Sequence, residues 1–174
     1  MPSIRILAAF ALLGSSAAAF AATSDYVLFE KIIKFKVPSD WNVIMEKKDG
    51  NPQFMAFQVR DPADPENNEI SQVTINAKLM HDSTFFQQQV DFATDKAKQL
   101  PGYEQVSDGV EPTVLRYYAV NGNTRYEYRE TFYLVSHLFL HIRCSRPMLK
   151  DTSQAWVDAY VKGCSDLMTS LKPK

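Results

Sequence analysis

The sequence predicts an α+β protein in which an antiparallel sheet carries two main helices packed on it. Several segments alternate between apolar and polar residues with a period of two, which is typical of strands. Two other segments, residues 83–100 and 152–171, repeat their apolar residues at helical spacing. The order along the chain is strands, helix, strands, helix, which favours an antiparallel sheet over the alternating units of a parallel one.

The amino-terminal residues have the layout of a cleavable export signal. Residues 1–5 carry a positive side chain, residues 6–13 are all apolar, and Ala19 and Ala21 fit the small-x-small rule of signal peptidase. The apolar run is shorter than the roughly 20 residues that a membrane-spanning helix needs. We therefore expect cleavage after Ala21, a signal peptide over residues 1–21, and one periplasmic domain over residues 22–174.

The domain is expected to begin with three strands. Residues 32–37 alternate apolar side chains with lysines, and residues 41–46 should form the strand that returns after a break at residues 38–40. Residues 49–52 combine Asp, Gly, Asn and Pro, which favours a turn. The third strand is expected over residues 53–60.

A polar loop over residues 61–69 leads to a fourth alternating segment, residues 70–80. The apolar period then becomes helical. Asp82 or Ser83 can cap the start of this helix, and the Pro-Gly pair at residues 101–102 should end it.

Three further strands are expected before the last helix. Residues 114–120 and 124–135 flank Asn121-Gly122, the strongest short signal for a hairpin. A second tight reversal near residues 136–137 precedes a strand over residues 138–144.

The closing helix, residues 152–171, should be capped by Thr152 or Ser153 and carries Cys164 on its apolar stripe. Cys144 lies on the apolar face of the preceding strand. These are the two cysteines of the chain, and two cysteines in an oxidising compartment usually pair. We predict a Cys144–Cys164 disulfide that fixes the last helix to the sheet.

Residues 35–41, FKVPSDW, resemble the F-x-V/Y-P-x-x-W start of PsbP/Mog-type domains. These include photosystem extrinsic proteins, Ran-binding Mog proteins and bacterial periplasmic DcrB-like proteins, and Asp40 stands where the family often has Gly. The resemblance implies a non-enzymatic binding scaffold. In size, export signal and fold type the chain also resembles, more loosely, periplasmic immunity proteins that block peptidoglycan-cleaving effectors of type VI secretion.

Trp41 is expected in the core, as is Trp156 on the last helix.

The polar loop is the first candidate site for a protein partner. Its six oxygen-bearing side chains are Asp61, Asp64, Glu66, Asn67, Asn68 and Glu69. No Lys or Arg occurs between Asp61 and Ala77, so the loop should present negative charge to a basic surface. Calcium prefers such oxygen ligands, and it is the one candidate cofactor, with Asp61, Asp64, Glu66 and Glu69 as its candidate ligands. A solvated connection without function is the alternative.

Tyr126 and Tyr128 are the second candidate site for a partner. They share one face of a predicted strand and alternate with the charged residues Arg125, Glu127 and Arg129. Exposed Tyr and Arg together are typical of binding hot spots. The alternative is that Tyr is present because it favours strands.

No catalytic motif occurs, so no catalytic residue is expected. His137 and His141 would lie about 13 Å apart along one strand, too far to share a metal ion, and His81 stands alone. The net charge of −1 gives no indication of nucleic acid binding. We expect a periplasmic protein-binding module, with an immunity protein as one form of it. A DcrB-like envelope protein that binds a small ligand or calcium is the alternative.

Overall fold

Residues 22–106 and 114–173 are described in a computed structural model of the chain. The predicted export signal and its cleavage site lie outside these residues and stay predictions. Within the described ranges, no helix is long and apolar enough to span a bilayer.

The described residues contain nine strands and two α-helices. In chain order they are β1 (Thr23–Leu28), β2 (Ile33–Pro38), β3 (Asn42–Lys47), β4 (Gln53–Val59), β5 (Ser71–Leu79), α1 (Phe86–Lys98), β6 (Glu104–Gln105), β7 (Val114–Asn121), β8 (Thr124–Val135), β9 (Leu138–Pro147) and α2 (Gln154–Leu171). A short 3₁₀ helix, Ser83–Phe85, leads into α1, and the Asp82 carboxylate caps it by accepting a hydrogen bond from the Thr84 amide.

The main sheet has seven strands in the order β3-β4-β5-β9-β8-β7-β6, and all its neighbouring strands are antiparallel. This confirms the predicted α+β class. The predicted hairpin between residues 32–37 and 41–46 is wrong, because β2 pairs with β1 and β3 pairs with β4. The strand β1 was not predicted. It is needed because the apolar side chains of β2 require a partner, and Tyr26 of β1 stacks on Phe35 at 5.8 Å.

Two predicted tight turns are confirmed. Gly122 adopts a φ of +60°, which the hairpin between β7 and β8 requires. Ser136 and His137 both have positive φ between β8 and β9. These turns set the register in which β8 crosses the centre of the sheet.

One face of the main sheet packs against α2 and the β1–β2 ribbon. Buried side chains from the central strands, among them Phe57, Ile75 and Ile142, fill this core. The predicted disulfide is present here, and the Cα atoms of Cys144 and Cys164 lie 6.4 Å apart. It joins α2 to β9 across the core.

Trp41 is buried where α2 crosses the start of β3. Its ring lies 6.5 Å from those of Phe57 and Tyr160. The helix approaches at Gly163, where an added Cβ would lie 2.7 Å from Cζ2 of Trp41. Gly163 therefore permits the close packing of α2 on this tryptophan, and the expectation that Trp41 belongs to the core is confirmed.

The opposite face of the sheet is covered only in part by α1. This helix buries Val90 and Ala97, while Phe92 remains 59% exposed. Asn76 and Lys78 of β5 also stay exposed on this face. The incomplete cover leaves an open space between α1 and the sheet.

Candidate functional site

A cleft of about 700 Å³ lies between α1 and the sheet. We call it the α1 cleft. Its lining includes Gln89, Phe92, Ala93, Lys96, Asn76, Lys78, Tyr117, Glu130, Phe139, His141 and Arg143. The first four come from α1 and the others from four strands, so the cleft depends on the packing of one helix against the sheet.

Four polar side chains meet at the floor of the α1 cleft. Glu130 of β8 lies directly opposite Arg143 of β9 in the strand register. His141, two residues from Arg143, shares its face of the sheet, as does Tyr117 of β7. Strand alternation thus places Tyr117, Glu130, His141 and Arg143 together.

The Glu130 carboxylate is the centre of this cluster and is only 3% exposed. Its Oε1 accepts a hydrogen bond of 2.6 Å from the hydroxyl of Tyr117, and its Oε2 lies 2.5 Å from Nε2 of His141. Nε of Arg143 lies 3.3 Å from Oε1. Both carboxylate oxygens are therefore engaged by neighbouring side chains.

The surroundings of Glu130 keep it ionised. Burial alone would raise its pKa, but the hydrogen bond and charge of His141, the charge of Arg143 and the hydrogen bond from Tyr117 outweigh burial, so the pKa is lowered. The pKa of the Tyr117 hydroxyl is raised by burial and by the charge of Glu130. Tyr117 therefore stays protonated and acts as a hydrogen-bond donor.

Arg143 connects the α1 cleft to a second depression on the same face. Its guanidinium lies over the Tyr128 ring, 4.6 Å from the centroid. On the far side of Arg143 is a groove of about 410 Å³, which we call the polar groove. Its lining includes Asn68, Glu69, Gln72, Thr74, Tyr126, Tyr128, Arg143 and Ser145.

The predicted exposure of Tyr126 and Tyr128 is wrong. They are 5% and 6% exposed, because they belong to a buried apolar cluster that includes Tyr117 of β7 and Val90 of α1. Their rings stack 5.9 Å apart, and that of Tyr128 also stacks on Tyr117 at 4.8 Å. They form the wall of a groove and do not project as a hot-spot surface.

The predicted negative patch of the polar loop is also corrected, because three of its four carboxylates are at least partly buried and accept hydrogen bonds within the protein. Asp61 is buried and accepts hydrogen bonds from the Ala63 amide and from the Thr152 hydroxyl. Asp64 is half-buried and accepts one of 2.7 Å from the amide of Glu69. These carboxylates stabilise the loop and its contact with the start of α2.

The Glu69 carboxylate, at the other end of the loop, also accepts hydrogen bonds from neighbouring side chains. Its two carboxylate oxygens accept hydrogen bonds from the hydroxyls of Thr124 and Tyr126. Burial and these interactions with Glu69 raise the pKa of Tyr126, so its hydroxyl stays a donor. Glu69 therefore attaches the loop to the β7–β8 hairpin.

The remaining predicted loop residues have different surroundings. Glu66 and Asn68 are exposed and lie within 3.4 Å of each other, whereas the side-chain oxygen of Asn67 accepts a hydrogen bond from Gln58. No group of three metal-ligating side chains occurs in residues 22–106 and 114–173. Calcium binding by Asp61, Asp64, Glu66 and Glu69 stays a prediction without a ready set of ligands, and partner binding by the loop stays a prediction too.

The cluster at the floor of the α1 cleft was not predicted from the sequence. A signal for it exists in β9, where His141 and Arg143 interrupt a run of apolar residues, whereas Glu130 lies in a strand that carries several other charged residues. Alternation also places His141 and Arg143 on the face opposite Leu140 and Ile142. What the sequence does not supply is the place of α1 over this face of the sheet and the pairing of β5 with β9.

No protein-family model matches the chain, and no curated protein matches it. Among solved structures, PA94 from Pseudomonas aeruginosa, a protein of unknown function, is similar with a TM-score of 0.51 and 16% identity. The match covers 87% of this chain and 97% of PA94. LpqN of Mycobacterium tuberculosis, involved in cell envelope biogenesis, matches with a TM-score of 0.49 and 15% identity over 76% of this chain and 78% of LpqN. The likeness to PA94 concerns the fold alone, and the PsbP/Mog and DcrB-like assignments stay predictions.

Proposed function

We propose that this protein is an exported, non-enzymatic binding protein whose ligand occupies the α1 cleft. The observation that carries the proposal is the convergence of Glu130, His141 and Arg143 at the floor of an open cleft of about 700 Å³. Ligand sites typically have volumes of about 300–1,000 Å³ and combine apolar walls with a few convergent polar groups.

The cost of burying charge supports a binding role for the cluster. Apolar side chains could fill the same positions of a sheet without the desolvation penalty that buried ions incur. Here a buried carboxylate, Glu130, is instead held by Tyr117, His141 and Arg143. Such a cluster fixes the orientation of polar groups that a ligand would meet.

The chemistry of the cleft supports binding without turnover. A general base works best when its pKa lies near the working pH. The pKa of Glu130 is instead lowered, so its carboxylate is a weak proton acceptor. Among the described residues that line the α1 cleft there is also no Ser, Thr or Cys to act as a nucleophile.

Export is the second part of the proposal. A disulfide between Cys144 and Cys164 is consistent with an oxidising compartment. Together with the export signal predicted over residues 1–21, it supports a periplasmic location.

Saturation-transfer NMR with a fragment library tests the proposed site. Ala93 lines the cleft on α1, so Ala93→Phe should fill it, whereas Ala159 is exposed on α2 and Ala159→Phe is the matched control. We expect fragments that bind the wild type to lose their signal with Ala93→Phe and to keep it with Ala159→Phe. Circular dichroism checks that each variant is folded. If Ala93→Phe does not fold, Ala93→Leu is a smaller substitution at the same position. Equal binding to all three proteins, or no binding fragment, would contradict the proposal.

A protein partner remains the second candidate, and the edge strand β3 favours it. All six residues of β3 are exposed, including Val43, Ile44 and Met45, and β3 ends the main sheet. An exposed apolar edge can accept a strand from another protein. An immunity protein that blocks a wall-degrading effector would be one form of this candidate.

A photo-crosslinking residue at Met45 tests this second candidate in cells. It should trap one partner protein, and Ile44→Lys should abolish the product. The same crosslinker at the exposed Ala155 of α2 should trap none. Identical products at both positions would argue against a strand-edge partner.

A further inference from the structure

We infer that the ligand of the α1 cleft is an anionic amphiphile, meaning one acidic group attached to an apolar chain. This inference rests on the proposed function and adds the chemical class of the ligand. It follows from the charges that the cleft leaves without an acidic partner and from the apolar side chains beside them.

Among the described residues, three cationic side chains and one carboxylate line the α1 cleft. The carboxylate, Glu130, is already paired with Arg143 and with His141. Within the described part of the chain, Lys78 and Lys96 form no ion pair. Positive charge therefore exceeds negative charge along the lining.

Among the residues that the structure describes, the ammonium groups of Lys78 and Lys96 contact uncharged partners. Nζ of Lys78 lies 3.4 Å from the amide oxygen of Gln89. Nζ of Lys96 lies over the ring of Phe92, 4.5 Å from its centroid. Because Lys78 is on β5 and Lys96 is on α1, the two approach the cleft from the sheet and from the helix. An acidic group that reached either ammonium would form a charge-assisted hydrogen bond, which is stronger than the present contacts.

The apolar side chains in the lining indicate that the ligand also has an apolar chain. Phe92 borders the cleft and is 59% exposed, although burying such a ring stabilises a protein by roughly 1.5–3 kcal/mol. Phe139 and Leu100 line the same space. An alkyl chain that lay against these side chains would remove the Phe92 ring from water.

The combination excludes other simple classes of ligand. A cationic ligand would meet Lys78, Lys96 and Arg143 as like charges. A small inorganic anion would leave the Phe92 ring exposed. An uncharged amphiphile would cover Phe92 and leave both ammonium groups without an acidic partner.

Isothermal titration calorimetry with four probes that share a ten-carbon chain tests the inference. The probes are decanoate, decyl phosphate, decanol and decyltrimethylammonium, each below its micellar concentration. We expect the better of the two anionic probes to bind at least about 10-fold more tightly than decanol, a difference of about 1.4 kcal/mol. Decyltrimethylammonium should bind most weakly. The ratio of the affinities for decanoate and decyl phosphate distinguishes a carboxylate ligand, such as a fatty acid, from a phosphate ligand.

Two lysine variants test whether Lys78 and Lys96 cause the higher affinity for anionic probes. The double variant Lys78→Gln/Lys96→Gln should reduce binding of the better anionic probe to the level of decanol and leave decanol unchanged. Lys98→Gln is the matched control, because Lys98 is on α1 but pairs with Asp95 at the surface. It should alter neither affinity.

Failure of this inference and failure of the proposed function give different results. If decanol or decyltrimethylammonium binds as tightly as the anions, and Ala93→Phe abolishes that binding, the ligand class is wrong and the site stands. If none of the four probes binds, the inference is overturned, and the fragment experiment decides separately about the site. If the anions bind but Ala93→Phe has no effect, both are wrong.

Discussion

At the scale of single residues, Glu130 has the largest consequence for the site. It is a carboxylate in the middle of a sheet, and its hydrogen-bonding partners come from β7 and β9 on either side. Its charge is compensated by Arg143, and its lowered pKa shows that its surroundings favour the ionised form despite burial. Glu130 thus determines where the side chains of His141 and Arg143 lie beneath the cleft.

The first prediction concerns the pH dependence of stability. Because the pKa of Glu130 is lowered on folding, its contribution to the free energy of unfolding is present above its unfolded-state value near 4.5 and is lost as pH falls through the folded value. Glu130→Gln should cost about 2 kcal/mol at pH 7, less than the 3–5 kcal/mol typical of a fully buried pair, because Arg143 and His141 are partly exposed. Urea unfolding of both proteins between pH 3 and 7 measures this.

Below pH 4.5 the difference in stability between wild type and Glu130→Gln should shrink. Glu66→Gln is the matched control, since Glu66 is exposed in the polar loop, and it should change the free energy of unfolding by less than about 0.5 kcal/mol. A difference between wild type and Glu130→Gln that does not vary with pH would show that the charge of Glu130 does not stabilise the fold.

At the scale of secondary-structure elements, the two helices differ in how firmly they are attached. α2 buries six residues, is joined to β9 by a disulfide, and approaches Trp41 closely at Gly163. α1 buries two residues, Val90 and Ala97. α2 is firmly attached and completes the core. α1 is loosely attached and borders the cleft, as is typical of elements next to binding sites.

The second prediction tests the contact between α2 and Trp41. Gly163→Ala should destabilise the protein by about 1–3 kcal/mol, because the added Cβ would clash with the Trp41 ring and this outweighs the gain in helix propensity. Trp41→Ala should cost roughly 3–5 kcal/mol. In the Trp41→Ala background, Gly163→Ala should become neutral or stabilising, since the clash is gone. Additive effects in this double-mutant cycle, measured by urea unfolding, would show that the two residues do not interact.

The third prediction concerns the disulfide. Two cysteines separated by 20 residues close a loop whose entropy is worth roughly 3 kcal/mol in the chain-entropy model. Replacing both Cys144 and Cys164 by Ala should lower the free energy of unfolding by about that amount. In the wild type, alkylation without reductant should add no mass to either cysteine. Alkylation of both cysteines in purified, unreduced protein would contradict the pairing.

At the scale of the whole molecule, local patterns predicted the elements and long-range pairing was harder to predict. The hairpin at Asn121-Gly122 and the disulfide could be predicted because a turn residue or an apolar face indicates them directly. The pairing of β2 with β1 could not, because Thr23–Leu28 begins with polar residues directly after the predicted export signal. Alternation showed that Tyr126 and Tyr128 share a face, but it did not show that both faces of β8 are covered, with Thr131 buried on the opposite face.

For the candidate site too, the sequence indicated local features, and the long-range arrangement was missed. The sequence indicated four residues that line the polar groove, Asn68, Glu69, Tyr126 and Tyr128, but assigned them to an exposed surface. The α1 cleft was missed because its lining brings β5 and α1 together with the β7–β8–β9 segment, which lies further along the chain. Such a site depends on strand order, and strand order is a property of the whole sheet.

The central claim is that the α1 cleft is a binding site, and amide chemical-shift mapping by two-dimensional NMR tests it most directly. Decanoate and decanol serve as probes, one anionic and one neutral, so that the result does not depend on the charge of the ligand inferred above. Backbone amides report the position of the probe without any substitution in the cleft.

With at least one of these probes, we predict that the largest shift changes fall around Phe92 and Lys96 of α1 and around Asn76 and His141 on the facing strands. These changes should disappear in Ala93→Phe. Shift changes concentrated in the polar loop or along β3, or changes of the same size in Ala93→Phe, would contradict the claim.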